Sequence, residues 1–156
     1  MSESSQQVYD QEAVEESLKN SGQRSFDLQV IEEFRANAGK VGGFFEDSDV
    51  VLLTTTGAKS GLERLNPLVY FTIDDRTLIV ASKGGAPTHP DWYHNIVANP
   101  QVTVEIGAET FQATAVELTG ADRDKAFAGV VALAPNFGEY QEKTTRILPV
   151  IELQRI

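Results

Sequence analysis

At 156 residues, with 41% hydrophobic and 23% charged side chains, the chain has the size and balance of one globular domain. It has no cysteine, which excludes disulfides, thiolate metal sites and cysteine nucleophiles; no apolar run approaches the roughly 20 residues that span a bilayer, and the N-terminus lacks a secretory pattern, so a cytoplasmic location is expected. A net charge of −10 argues against nucleic acid and anionic lipid as partners.

In chain order, residues 1–47 read as a polar, helical N-terminal segment and 48–156 as the body of the fold. Glu12 to Asn20 holds good helix formers, with Val14 and Leu18 as its apolar i, i+4 pair. A second helix begins after Ser25, places Leu28, Ile31 and Phe34 on one stripe and stops near Gly39. It suits a cover for a sheet edge, with a lid or a partner-binding arm as alternatives.

Strands begin at residue 50. Val50 to Thr56 is β-branched and breaks at Gly57. Leu65 to Ile73 is a second run, with Pro67 inside it. A proline cannot donate to a ladder, so an edge, a bulge or a ligand is expected there. Asp74-Asp75-Arg76 turns into a strand over Thr77–Ser82, followed by the loop Lys83–Pro90. Thr88 and Asp91 resemble a capping box opening a helix in which Trp92/Ile96 and Tyr93/Val97 are paired, and Asn99-Pro100 ends it. Strands Val102–Ile106 and Thr110–Leu118 flank a turn at Gly107. Thr119 caps a helix reaching about Ala134, Ala134 to Tyr140 reads as an irregular stretch that forms either one wall of a pocket or an ordinary packed loop, and Ile147–Leu153 gives a final strand. Six strands without strict βα alternation predict a small, mostly antiparallel barrel, mainly β with flanking helices.

Charge is unevenly spread. Residues 1–50 hold 11 acidic and 4 basic side chains, 51–100 hold 4 and 4, and 101–156 hold 8 and 5. An anionic ligand would meet least repulsion in the middle third, which also carries the glycine-rich turns. One is Gly57-Ala-Lys-Ser-Gly61, with Lys59 and Ser60 in the turn and Arg64 after it, either a phosphate-binding hairpin or a plain turn with solvated cations. The other is Ser82-Lys83-Gly84-Gly85, where a strand enters a loop before a helix. Neither fits a Walker loop or the dinucleotide fingerprint. The two histidines, His89 and His94, have no metal-binding spacing, so no metal is expected; capping explains His89. Ser60 and Ser82 lack the context of a hydrolase nucleophile.

Taken together, Thr54-Thr-Thr-Gly-Ala-Lys-Ser-Gly-Leu-Glu-Arg-Leu-Asn-Pro-Leu68, Ala81-Ser-Lys-Gly-Gly85, Asp91-Trp-Tyr-His-Asn95, Ala98-Asn-Pro100 and Thr145-Arg-Ile-Leu-Pro149 resemble the actinobacterial deazaflavin-dependent nitroreductase family over about residues 48–150. The resemblance implies a split β-barrel that binds coenzyme F420. It implies that Lys59 and Arg64 meet the phosphate and acidic tail, that Pro67, Leu68, Val80 and Ala81 border the deazaflavin, and that Ser82, Lys83, Gly84 and Gly85 hold its other side with Trp92 and Asn95 in support. Hydride transfer to an activated alkene, quinone or nitro-heterocycle would follow, with Ser82, Tyr70 or Tyr140 as proton donor. Val69, Ala134, Phe137 and Tyr140 occupy the substrate-pocket positions; only Tyr140 keeps a tyrosine of that family's cluster, so a more apolar pocket is expected. The alternatives are a split barrel holding FMN and a non-catalytic deazaflavin carrier or sensor. A monomer or homodimer is expected.

Overall fold

The computed structural model describes residues 25–45 and 47–156; the helix expected over 12–20 lies outside them. Helix α1 covers 25–36. Its buried residues are Val30, Ile31 and Phe34, while Leu28 is 55% exposed. The buried stripe is therefore centred one position away from the expected row, because Phe45, Val50 and Leu52 form the surface it meets.

Seven strands form one antiparallel sheet: β1 (Val50–Thr56), β2 (Glu63–Val69), β3 (Phe71–Ile73), β4 (Arg76–Val80), β5 (Gln101–Ile106), β6 (Glu109–Glu117) and β7 (Val150–Arg155). Their order is β2-β1-β5-β6-β7-β4-β3. The seventh strand comes from the expected Leu65–Ile73 run, which is cut at Tyr70 into strands at opposite edges of the sheet. Tyr70 N–H still donates to Asp49 O at 2.9 Å, the last bond beside β1, before the chain crosses to pair with β4. Composition does not mark that break.

Bonds at both ends of the β1–β2 ladder, Gly57 N–H to Leu62 O and Tyr70 N–H to Asp49 O, fix its phase. Arg64, Asn66 and Leu68 then turn their backbone groups toward β1, and Pro67 turns its nitrogen to the open edge. The proline sits where the missing N–H costs no ladder bond.

The sheet curls into a split barrel. Val51 and Leu53 of β1, Ile79 of β4, Val102 and Val104 of β5, Ala113 and Ala115 of β6, and Ile151 and Leu153 of β7 share one inner cluster. Fully burying each large aliphatic among them is worth about 1.5–3 kcal/mol. Helix α2 (Asp91–Ala98) adds Trp92 and Ile96 to the same cluster. The outer faces are covered too. Val50 and Leu52 lie under α1, and Phe71, Leu78, Val80 and Val150 lie with Ala126 and Val130 of α3 (Gly120–Leu133). Burial on both faces explains why β1 reads as a continuous apolar run rather than an alternating one.

The remaining departures are local. Ala134 to Tyr140 is largely helical, as α4 (Asn136–Glu142), with Pro135 at its N-cap; proline's fixed φ suits a helix start as well as a loop. Strand β7 starts at Val150 rather than Ile147, which is 70% exposed. Pro90 is the N-cap of α2 and makes no side-chain cap bond, so the Thr88–Asp91 capping box does not form. Thr119 likewise occupies the N-cap of α3 without a side-chain bond. Val97 is exposed, so its pairing with Tyr93 adds little to the core.

Candidate functional site

The turn from Gly57 to Leu62 is closed by its own backbone. Gly57 N–H donates to Leu62 O at 2.7 Å, Gly61 N–H to Gly57 O at 3.0 Å, and Leu62 N–H to Ser60 Oγ at 3.1 Å. A Cβ on Gly57 would stand 2.6 Å from Ser60 Oγ and 3.2 Å from Leu62 O, so the turn closes over that glycine. The Ala58 N–H donates to Asn95 Oδ1 of α2 at 3.0 Å, and Asn95 Nδ2 donates to Thr55 Oγ1 at 3.0 Å. Asn95 and Thr55 are the buried polar residues of the described chain, and each satisfies the other. The N–H groups of Lys59 and Ser60 have no acceptor among the described residues.

The cations around this turn are equally uncommitted. Arg35, Arg76, Arg123 and Arg155 each hold a carboxylate. Arg64 makes only a 3.4 Å contact to Glu63 O, and neither it nor Lys59 has an ion-pair partner among the described residues. Lys59, Ser60 and Arg64 line a cleft of about 730 Å³, with Asn66, Trp92, Asn95, Asp91 and His94 among its other walls. Two backbone donors and two cations without partners among the described residues, beside a cleft of ligand size, are the groups an anion would use.

The second loop is built differently. Lys83, Gly84 and Gly85 have φ of 48°, 63° and 85°, three consecutive left-handed residues. Lys83 Nζ donates to Thr88 Oγ1 at 3.3 Å, which holds its charge over its own loop. Gly84 faces open space, but a Cβ on Gly85 would stand 2.6 Å from Tyr140 O. The second glycine thus admits α4 rather than a ligand. Ser82 is half-buried, and none of Ser82 to Gly85 belongs to the walls of the 730 Å³ cleft.

A second cavity, of about 630 Å³, brings together Val69, Tyr70, Ala134, Phe137 and Tyr140, with Asp47 and Asp49 at its wall. Phe137 packs edge-on against both Phe71 and Tyr140, with centroids 5.3 Å apart in each pair. Tyr140 Oη accepts from Asn136 Nδ2 at 3.1 Å. Burial, then the Asp49 carboxylate, raises the Tyr70 phenol above its ordinary value, keeping it protonated at neutral pH.

Not every expected residue reaches a cavity. Pro67 pairs with Leu52, on the face that carries Leu65 and Val69 under α1, opposite Arg64 and Asn66. The period of two along β2 makes Asn66, not Pro67, the neighbour of Arg64 in the cleft. Leu68 packs partly buried against the inner cluster, Ala81 lies wholly within it, and Val80 belongs to the α3 side. Asn95 braces the first loop rather than the second. His89 does not cap α2; its Nδ1 lies 3.0 Å from Arg146 Nη1. Arg146 has no signal in local sequence beyond its place in the Thr145–Pro149 motif, because its contacts lie about 60 residues upstream.

Comparison with known proteins agrees with this architecture. A family model described as F420H(2)-dependent quinone reductase matches residues 28–154. An F420H(2)-dependent quinone reductase of Mycobacterium tuberculosis is 38% identical over 126 residues, covering 78% of this chain and 85% of that protein. A solved structure described as an F420-H2 dependent reductase is 44% identical, with a TM-score of 0.62 over 67% of this chain and 93% of its own. Another, described as a domain-swapped dimer, is 38% identical with a TM-score of 0.64 and covers 81% and 94%. With the match running from α1 to β7, the chain belongs to the F420H(2)-dependent quinone reductase family.

Proposed function

We propose that this chain reduces quinone-type acceptors with reduced coenzyme F420, and that the two cavities divide the work between cofactor and acceptor. The observation that carries this reading is the anion-binding end: uncommitted Lys59, Arg64 and two backbone N–H groups in a chain of net charge −10. These donors fit a phosphate-bearing, acidic-tailed cofactor. Lys59, Ser60 and Arg64 would hold that end, with Leu68 and Ser82 to Gly84 near the ring and Trp92 and Asn95 in the cleft wall. When bound, the deazaflavin supplies a hydride, its carbon in place of the flavin N5 favouring two-electron transfer.

The chain's own part is to orient, exclude water and supply a proton. The aromatic wall of Phe71, Phe137 and Tyr140 gives a flat acceptor an apolar surface. Tyr70, Tyr140 and Ser82 are the candidate donors to a reduced quinone oxygen. Tyr70 and Tyr140 both line the acceptor cavity, and burial beside Asp49 makes Tyr70 a weaker acid than a free phenol.

The deciding experiment is a fluorescence titration with oxidised F420, run beside FMN. Saturable F420 binding with FMN excluded supports the reading; preference for FMN overturns it. Arg64→Ala is expected to lower F420 affinity roughly 10- to 100-fold through loss of a charge-assisted contact. Its melting temperature should stay near that of the parent, since Arg64 is exposed and has no ion-pair partner among the described residues.

The acceptor cavity also makes a prediction about charge. Asp47 and Asp49 line it, and among the described residues no lysine or arginine does. A neutral naphthoquinone should therefore be turned over about fivefold better than its sulfonate at low salt, with the gap shrinking as salt rises. Asp49→Asn should narrow the gap. Equal rates for both quinones in the parent would move the acceptor elsewhere.

A further inference from the structure

Arg146, between α4 and β7, directs its guanidinium into the segment that joins β4 to α2. Nη2 donates to Ser82 O at 2.7 Å, Nη1 to Ala81 O at 3.0 Å and Nε to Ala86 O at 2.8 Å. Nη1 also lies 3.0 Å from His89 Nδ1. One half-buried side chain thus fastens both ends of 81–89, with no carboxylate partner among the described residues. The segment between those fastenings holds the three left-handed residues Lys83, Gly84 and Gly85. A non-glycine residue there is a cost that surrounding contacts must hold in place. The loop's own bonds, Gly85 N–H to Ser82 O at 2.9 Å and Ala86 N–H to Lys83 O at 3.1 Å, are few.

The fourth contact depends on protonation. A guanidinium only donates, so His89 Nδ1 must accept, which requires the neutral imidazole with its proton on Nε2. Around His89 stand Arg146, the Tyr93 ring at 4.5 Å and the His94 ring at 5.8 Å, with Glu117 of β6 held by the Tyr93 hydroxyl at 2.7 Å. Burial, then Arg146 and His94, outweigh Glu117 and keep His89 below the ordinary histidine value. The sign follows. The unfolded chain takes up the proton first as pH falls, so the stabilisation is complete above the ordinary histidine value. It is lost progressively until folded His89 itself protonates. Protonated Nδ1 would set one N–H against another, and the clasp would lose that fastening.

We propose that Arg146 is a positioning residue that clasps 81–89 in the shape presented to the cofactor, and that His89 makes this clasp weaken on acidification. The cofactor part rests on the proposed function; the clasp itself does not.

The test is amide hydrogen exchange of the cofactor-free protein at pH 7.5 and pH 5, expressed as protection factors, with F420 titrations alongside. In the parent, protection of Gly85 and Ala86 should fall on acidification, while that of β5 and β6 holds. Arg146→Lys, which keeps the charge but cannot reach several carbonyls at once, should lower protection at 82–89 about tenfold at pH 7.5 and leave β5 and β6 protected. It should weaken F420 binding about tenfold as well. His89→Asn, whose Oδ1 can accept from Arg146 but does not titrate, should retain protection and flatten its pH dependence. Unchanged protection at 82–89 in Arg146→Lys overturns the clasp, as does a loss spread evenly over the sheet. An unaltered pH response in His89→Asn overturns the switch. Failure of the parent to bind F420 would defeat the proposed function while leaving the exchange result to decide the clasp.

Discussion

Gly85→Ala is expected to destabilise the protein by about 3 kcal/mol and to displace α4. Two costs act together. At φ +85° an L side chain is strained by roughly 1–2 kcal/mol. The added Cβ would also stand 2.6 Å from Tyr140 O, 3.0 Å from Lys143 Cβ and 3.1 Å from Tyr140 Cα. These are mostly backbone atoms of a packed helix, so the conflict cannot be relieved by a rotamer change, and overpacking of this kind costs about 1–3 kcal/mol. Because α4 carries Phe137 and Tyr140 into the cavity proposed for the acceptor, turnover should fall along with stability. Gly84→Ala is the control: its φ is +63° and nothing lies within 4 Å of the new Cβ. It should lose about 1 kcal/mol from strain alone. Urea unfolding of the two variants decides the matter. Equal losses would mean that Gly85 is required only by its backbone angle and that α4 does not press on the loop.

Asn95→Leu is the second large effect expected. The near-isosteric change removes the acceptor for Ala58 N–H and the donor to Thr55 Oγ1, whose residue is 1% exposed. A buried polar group left without a partner costs about 1–3 kcal/mol, so a total near 3 kcal/mol is expected. Thr55→Val in the same chain should recover part of that loss, because removing both partners leaves no orphan at that position. A double-mutant cycle measures the recovery. The turn released from Asn95 is the one that carries Lys59 and Ser60, so F420 affinity should drop even though neither Lys59 nor Arg64 is touched. Unaltered affinity would mean that the turn holds its shape through its own backbone bonds.

The two variants also mark how far the sequence could be read. The 57–61 turn was legible because its signals are local: glycines at both ends, a lysine between them and an arginine just beyond. The strand around Val50, the hairpin about Gly107 and the helix after Thr119 were legible for the same reason, since period and turn chemistry act over a few residues. Pro67 announced an edge, a bulge or a ligand, and of these β2 shows the edge. The split at Tyr70 was not legible, because the same apolar run serves two strands that part only when one finds β1 and the other β4. The stretch from Ala134 to Tyr140 does line a cavity, but its helical form was not legible, because Pro and Gly that suit a loop also suit the start of a short helix packed on its neighbours.

The sequence by itself determined that this protein is a cysteine-free, mostly antiparallel barrel with a charge-balanced, glycine-rich middle, and its ordered motifs carried the likeness to a deazaflavin-binding family. Tertiary structure decided which of those residues meet. It put Asn66 rather than Pro67 beside Arg64, gave Gly85 to the backbone of α4, tied Asn95 to the first loop and brought Arg146 to the carbonyls of 81–89. The physical reason is range. Propensity, alternation and turn chemistry are written within a few residues, whereas hydrogen bonds and close packing between distant segments exist only once the sheet has curled and fixed which faces oppose each other.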